Sequence, residues 1–321
     1  MKSPVPAFMV LLSVLSCTVS EPMDSVLYTT ISFDCGRPCV KSSDPSDESL
    51  ISDINLFVFN SVGGELESSL FVSSREQADE ISVPLLKGAG YDIYACINFG
   101  YRVSGISKAA DLEGLRYHLI YPDEYRQGVP MAAKIENFVA DSSGRLSLKA
   151  ERMMAKIVLT IDRSLLAEDV TMAVRQARIG GCPRSMSPFR ESRPEGRSDV
   201  FKNGFGKLEA EVDNLNRDKS GGRSGEVNLY MLESLSGPVP ASVKDPSAAG
   251  IYPYIELEIS YKSAKYYTKP GQWLVYRFCI GDEEGLADIR RNTLYRFTVR
   301  PEGTGIDEFS WRVDKDALAE Y

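Results

Sequence analysis

The sequence predicts an all-β fold, and three observations carry that prediction. First, three stretches between 271 and 313 alternate with period two. WLVYRFCI puts Leu274, Tyr276, Phe278 and Ile280 on one face, and LYRFTVR sets Tyr295, Phe297 and Val299 against Arg296, Thr298 and Arg300. FSWRV alternates Phe309, Trp311 and Val313 with Ser310 and Arg312. Successive side chains of a strand point to opposite faces, so this is the pattern of a half-buried antiparallel sheet. Second, the connections GDEEGLADIRRN and PEGTGIDE have the Gly, Asp and Glu content of turns. Third, 16 Tyr and 13 Phe fall in short alternating runs, which favours strands. The chain should close in a β-meander laid on a core.

At 321 residues, 43% hydrophobic and 26% charged, the chain has room for one large domain or two of ordinary size. A net charge of −8 argues against nucleic acid as a partner, because phosphate contacts need a basic surface. Lys2 precedes the apolar run VPAFMVLLSVL, which ends at Ser16-Cys17. A positive head, an apolar core and a small residue before the cut describe a secretory signal over residues 1–16. The run is shorter than the ~20 apolar residues of a membrane-spanning helix. Cys17 directly after VLS looks like a bacterial lipobox, in which Cys17 becomes the lipidated first residue; a plain secretory signal cut nearby is the alternative. Each buried methylene contributes ~0.8 kcal/mol, so a multiply acylated Cys17 would hold the chain on a membrane. The other cysteines, Cys35, Cys39, Cys96, Cys182 and Cys279, are an odd and scattered set rather than a disulfide framework. Cys35 and Cys39 either close a small loop or are unrelated thiols. No second cysteine pair follows, and His118 is the single histidine, so no metal site is expected.

In chain order, VLYTTISF puts Leu27, Thr29, Ile31 and Phe33 on one face of a first strand. Residues 37–48 have loop composition. INLFVFN (54–60) is apolar on both faces and reads as a central strand, followed by the SVGG hairpin signal. EISVPLL and YDIYACINF flank the LKGAG turn, and Pro84 assigns the first of them to an edge or a bulge. Leu112, Leu115 and Leu119 sit at helical spacing, which predicts a short helix within 107–119. GRLSLKAERMMAKIVLTID (144–162) reads as one long strand, and the polar RSLLAED after it marks the domain boundary. The second half opens with VTMAVRQARI and then loses periodicity from Cys182 to about Gly225. That stretch has nine Lys/Arg and seven Asp/Glu, a mixture expected of a solvated loop. Strands resume at VNLYML and YIELEISYK, and no sequence repeat is visible.

No catalytic constellation is evident. His118, beside Tyr117 on the expected helix, reads as a packing or surface residue. There is no G-x-S-x-G elbow to build a Ser-His-Asp hydrolase around it. Glu256 and Glu258 lie on the exposed face of an alternating strand, where solvation accounts for them. GDEEGLAD (281–288) lacks the spaced ligands and closing Glu of an EF-hand, and no phosphate-binding loop occurs. Neither an enzyme nor a cofactor is expected.

Taken together, these stretches resemble the fimbrillin superfamily of Bacteroidales, the subunits and accessory lipoproteins of type V pili. The resemblance runs through LSC, ISDINLFVFNSVGGELE, LLKGAGYDIYACINFG and ERMMAKIVLTI in the first half. In the second half it runs through YMLESLSG, YIELEISY and YRFCIGDEEGLADIRRNTLYRFTVRPEGTG, closing on WRV. Ser234 stands where the family usually has Asn, and 182–225 matches nothing in the pattern. The resemblance implies two tandem antiparallel β-sandwich domains of transthyretin-like shape, 17–162 and 163–321, with the short helix inserted in the first. It also implies an outer-membrane or cell-surface location through lipid on Cys17, and other fimbrial subunits as partners.

In family members that polymerise, an arginine-specific protease removes the first strand and a neighbour's C-terminal strand fills the groove. An opened sandwich leaves unpaired N–H and C=O groups over an apolar slot, and a donated strand satisfies both. On this chain the removed strand would lie near Leu27–Phe33, with Arg37 and Lys41 as candidate processing residues. Arg37 precedes Pro38, a bond that trypsin-like proteases cut poorly. Only DKDALAEY follows Val313, and Leu318 is its one large aliphatic residue, a poor donor unless the last meander strand itself peels away. The expected function is therefore an anchor, tip or accessory component of a fimbria. The alternative is a surface lipoprotein of the same fold that binds a glycan or a host or bacterial surface protein through its loops.

Overall fold

A computed structural model of the chain describes residues 25–36, 48–73, 81–120, 128–201, 205–207, 212–218, 221–266, 273–280, 286–306 and 311–319. Nearly all regular structure among them is β; the single α-helix is one turn, Pro246–Ala249, capped by the Asp245 carboxylate. The first half supplies β1 (Val26–Asp34), β2 (Ile54–Asn60), β3 (Leu66–Val72), β4 (Ile81–Leu86), β5 (Gly90–Ile97), β6 (Tyr117–His118), β7 (Met131–Val139) and β8 (Arg145–Arg152). All but β6 join one seven-stranded sheet in the order β3-β2-β5-β7-β8-β1-β4.

The doubly apolar strand is interior, as its pattern predicts. Ile54, Leu56 and Val58 of β2 enter a core with Ile93, Ala95 and Ile97 of β5 and Ile31 of β1. Phe57 and Phe59 belong instead to a second core, shared with the other half of the chain. Pro84 stands in the edge strand β4, where no partner needs its missing N–H.

The second half supplies β9 (Met154–Ile161), β10 (Val170–Gly180), β11 (Cys182–Pro183), β12 (Ser185–Met186), β13 (Val200–Phe201), β14 (Phe205–Lys207), β15 (Val227–Leu232), β16 (Ser234–Pro238), β17 (Tyr254–Ser263), β18 (Leu274–Cys279), β19 (Leu286–Ile289), β20 (Thr293–Pro301) and β21 (Trp311–Ala319). Two four-stranded sheets, β15-β9-β20-β21 and β14-β10-β17-β18, send Ile157, Leu159, Phe297 and Val299 from one side and Val174, Ile179, Leu257 and Ile259 from the other into the second core.

Four sequence expectations are corrected. The run 144–162 is two strands, not one. β8 pairs with β7 and β1, whereas β9, beyond Met153, pairs with β15 and β20. The alternation changes phase there, from Leu146, Leu148 and Ala150 at even positions to Met153, Ala155, Ile157, Leu159 and Ile161 at odd ones, a local sign that the one-strand reading passes over. The expected helix in 107–119 is a five-residue 3-10 turn, Ala109–Glu113, that buries only Leu112. Tyr117 and His118 then extend into β6, which pairs with Met186 and Ser185 of β12. The 182–225 stretch is not merely a solvated loop: Cys182, Met186, Val200, Val212 and Leu215 are buried. It also joins the two halves, with Phe189 edge-on to Tyr94 at 5.0 Å and the Leu119 N–H donating to the Arg184 carbonyl at 2.8 Å. Asn216 pairs its amide with the backbone N–H and C=O of Val174 at 2.7 and 2.8 Å, where a register shift interrupts the β10–β17 ladder. Finally, Glu256 is nearly buried. Arg178 at 2.8 Å and Arg277 at 2.6 Å hold it in a cross-strand ion ladder, where solvation was the expected reason for a carboxylate there.

One device occurs in both halves. The Tyr91 hydroxyl accepts the Leu86 N–H at 2.8 Å, and the Tyr295 hydroxyl accepts the Arg290 N–H at 2.9 Å. In each case the strand-opening tyrosine reaches back five residues across a tight turn. Each turn has a left-handed residue two places after the donor, Gly88 at φ 80° and Asn292 at φ 52°. LKGAGY and RRNTLY thus build the same corner from different letters, which is why no repeat is visible in the sequence.

Gly180 faces Tyr254 across the β10–β17 ladder, and a Cβ there would fall inside the tyrosine ring. The ring covers a strand glycine that would otherwise leave a gap. Gly180→Ala is expected to destabilise the chain by about 1–3 kcal/mol through overpacking, read as a lower urea midpoint with unchanged m-value.

Candidate assembly interfaces

β1 lies between β8, with which it runs parallel, and the edge strand β4, with which it runs antiparallel. Its inner face is the predicted one: Ile31 is fully buried in the first core and Phe33 packs against it. The Thr29 side chain is buried too, yet its hydroxyl has no hydrogen-bond partner among the described residues. An unmade buried bond costs about 1–3 kcal/mol, so β1 is held less firmly than its backbone pairing alone would give. Without β1, the facing edges of β8 and β4 would flank an opening over Ile31's core neighbours Val83, Leu146 and Leu148.

Just past β1 the chain enters a buried polar cluster. The Lys156 ammonium donates to Glu48 Oε1 at 2.6 Å, the Tyr230 hydroxyl donates to the same oxygen, and Arg152 Nε donates to the Glu48 carbonyl at 3.4 Å. Arg152 also reaches the exit of β1. It lies beside Gly36, and its charge partly offsets the burial that pushes the Cys35 thiol up. The cluster therefore holds the described residues on either side of 37–47, with Gly36 beside Arg152 and Glu48 tied to β9 and β15. The sequence carried one sign of this: Lys156 interrupts the apolar strand MAKIVLTI, and a buried lysine needs an anion. Arg163, after β9, is the contrasting case. It is buried, its guanidinium nitrogens have no hydrogen-bond partner among the described residues, and burial pushes its pKa down to about 10.

The opposite terminus is also an edge. β21 pairs with β20 along nine residues, from Trp311 opposite Pro301 to Ala319 opposite Thr293. DKDALA thus continues the last meander strand instead of trailing from it. The start of β21 is the fixed part. Trp311 Nε1 donates to the Gly305 carbonyl at 2.9 Å, the Tyr276 hydroxyl donates to the same oxygen, and the indole ring lies 3.9 Å from that of Tyr276.

Cys17, Arg37, Lys41 and Cys39 lie outside the described residues, as does 281–285 of the acidic loop. His118 is exposed on β6, opposite Ser185 of β12. Among the described residues no group of three or more His, Cys, Asp or Glu could hold a metal ion, and no helix is long and apolar enough to cross a membrane. Among the described residues Cys35, Cys96, Cys182 and Cys279 form no disulfide.

No family model and no curated protein sequence matches the chain. Solved structures do. The tip fimbrial protein Mfa3 of Porphyromonas gingivalis, with a C-terminal truncation, superposes with a TM-score of 0.60 at 14% identity, covering 92% of this chain and 100% of its own. A fimbrilin, FimA, from Porphyromonas gingivalis W83 superposes with a TM-score of 0.58 at 12% identity, covering 91% of this chain and 97% of its own. The chain has the fimbrillin fold. Within the fimbrillin fold, β1 and β21 are the first and last strands, and each sits where removing it would uncover a core. In this chain Glu48, Lys156 and Tyr230 make a buried polar tie between the halves.

Proposed function

We propose that the chain is a structural or adhesive component of a cell-surface fimbria, an anchor, tip or accessory subunit, and not an enzyme. In this reading it is two tandem transthyretin-like β-sandwiches. The two bodies in this reading are residues 17–162 and 163–321. Lipid on Cys17 tethers it to the outer membrane, and β-strand exchange joins it to neighbouring subunits. Arg37 and Lys41 are the candidate processing residues. The observation that carries the reading is the placement of β1 between β8 and an edge strand, over an apolar core and with the Thr29 hydroxyl unpartnered.

Two further features bear on the position in the fimbria. Trp311 holds the start of β21, and the Glu48 cluster holds the far side of the candidate processing segment. Both favour a subunit that keeps its own strands until it is cut.

The test is extraction from the native surface and electrophoresis without denaturation. Heat-sensitive multimers are expected, and a lone lipid-bearing monomer would overturn strand exchange in favour of the loop-binding alternative. Thr29→Val removes the unpartnered hydroxyl and should stabilise β1 by about 1 kcal/mol. Protease release of the first strand from that variant should be slower than from the parent.

A further inference from the structure

One end of the first half gathers exposed apolar side chains from four separate places. Val26 and Tyr28 open β1; Leu86 closes β4 and lies opposite Val26; Val139 closes β7 opposite Gly90. Val62 tips the β2–β3 turn, whose Ser61 N–H donates to the Gly90 carbonyl at 3.1 Å. A chain of short contacts confirms that these belong to one end. Gly88 N–H donates to the Ala140 carbonyl at 2.8 Å, and Lys87 N–H donates to the Ser25 carbonyl at 3.0 Å. Tyr28 is 72% and Val62 is 96% exposed, and the five residues are five of the thirteen exposed large apolar side chains among the described residues. A soluble surface spreads such residues singly, so their concentration at one end calls for a partner.

The path of the backbone says which partner. The segment leading back to Cys17 leaves from this same end, because Ser25 is hydrogen-bonded to Lys87 there. Seven residues, or eight Cα-to-Cα steps, separate Cys17 from Ser25, a span of at most ~28 Å when extended. An acyl group on Cys17 would therefore keep this end within that distance of a bilayer. The apolar groups are strand ends and a turn tip rather than the walls of a groove. Scattered tips suit a deformable apolar medium, and a tyrosine with an aromatic body and a polar end suits the water–lipid boundary. Lys87 adds a cation beside anionic headgroups.

We propose that this end of the first half, with Val26, Tyr28, Val62, Leu86 and Val139 as its contacts, rests on the lipid surface and orients the subunit on it. The inference rests on the lipid anchor of the reading above and adds a second, non-covalent contact to it. The surface is complete only while β1 is in place, since Val26 and Tyr28 belong to that strand. Loss of β1 would remove both the anchor and part of the surface.

The test uses the full chain, made in a host that processes lipoproteins and reconstituted into phosphatidylethanolamine–phosphatidylglycerol vesicles that carry a lipid with a photo-reactive acyl chain. Mass spectrometry of the N-terminal peptide first reads whether Cys17 is acylated. Cross-links are then expected on the peptides containing Tyr28, Val62 and Val139. They should be lost in Tyr28→Ser/Val62→Ser/Val139→Ser and kept in the control Leu70→Ser/Ile306→Ser. Val62→Ser alone, at a turn tip, replaces the triple variant if that fails to fold, and must weaken the Val62 cross-link. An acylated chain with cross-links only before Ser25, or at random over the surface, overturns the lipid surface and leaves the anchor standing. The same end protected by a neighbouring subunit, without lipid cross-links, overturns it as well. An unacylated Cys17 overturns both readings.

Discussion

Arg291→Met should lower stability by about 3–5 kcal/mol, the loss expected when one partner is removed from a buried ion pair. Arg291 grips Glu233 with two nitrogens, at 3.1 and 2.6 Å, and spends its remaining donors on the carbonyls of Pro188 at 2.7 Å, Ser187 at 3.1 Å and Arg190. Glu233 in turn accepts the Ser192 N–H at 3.0 Å. One guanidinium thus fixes the 187–192 segment to the body of the second half. Its planar fork makes this set of bonds, and a lysine could not. In the variant a buried carboxylate keeps only N–H donors, so the urea midpoint should fall and amide exchange across 187–192 should rise. Adding Glu233→Gln should restore a large part of the loss, because the uncompensated charge is the main penalty. Equal losses in the single and double variants would sink this account.

Lys156→Met should cost a similar ~3–5 kcal/mol, with a different local signature. The Lys156 and Glu48 side chains are each 2% exposed, and the 2.6 Å contact is the only ion pair found for either among the described residues. Without the ammonium, the Tyr230 hydroxyl remains as a neutral donor to a buried carboxylate. Exchange should then rise across 48–53, where the chain docks on β9 and β15, and the segment 37–47 should be nicked faster by trypsin. The double variant Glu48→Gln/Lys156→Met should sit well above the single one in stability. Unchanged nicking of Lys156→Met would show that the cluster does not govern that segment.

Most strands were legible because they have one buried and one more exposed face, a division that period two records, and INLFVFN because it is apolar on both. VLYTTISF, INLFVFN, YIELEISYK and LYRFTVR appear as β1, β2, β17 and β20 with their apolar faces inward. The break at Met153 was legible only as a change of phase, from Leu146, Leu148 and Ala150 at even positions to Ile157, Leu159 and Ile161 at odd ones. Both sides of it are strand, and the change is in which neighbours pair, a long-range fact that local alternation does not contain. The 182–225 segment failed for a related reason. Its anchors are Arg291, Glu233 and Asn216, polar groups bonded to backbone, and such bonding leaves no hydrophobic period to detect. The helical spacing of Leu112, Leu115 and Leu119 was a coincidence of composition: Leu112 plugs the core from a 3-10 turn, and Leu119 follows a strand. Of the candidate site, the face of β1 was readable and its weak point at Thr29 was not, since a threonine in a strand is ordinary until its hydroxyl is seen without a partner.

The parallel alignment of β1 with β8 has a mechanical side. The two ends of β1 lie at opposite ends of the sheet, six register pairs join it to β4, and five join it to β8. Tension applied along the strand must slide it past both neighbours at once, so the ladders on its two flanks share the load instead of opening rung by rung. Under the proposed N-terminal tether, a pull through Ser25 would act along that axis, where the strand is braced. A sideways tug at Asp34 would unzip the same strand with far less work.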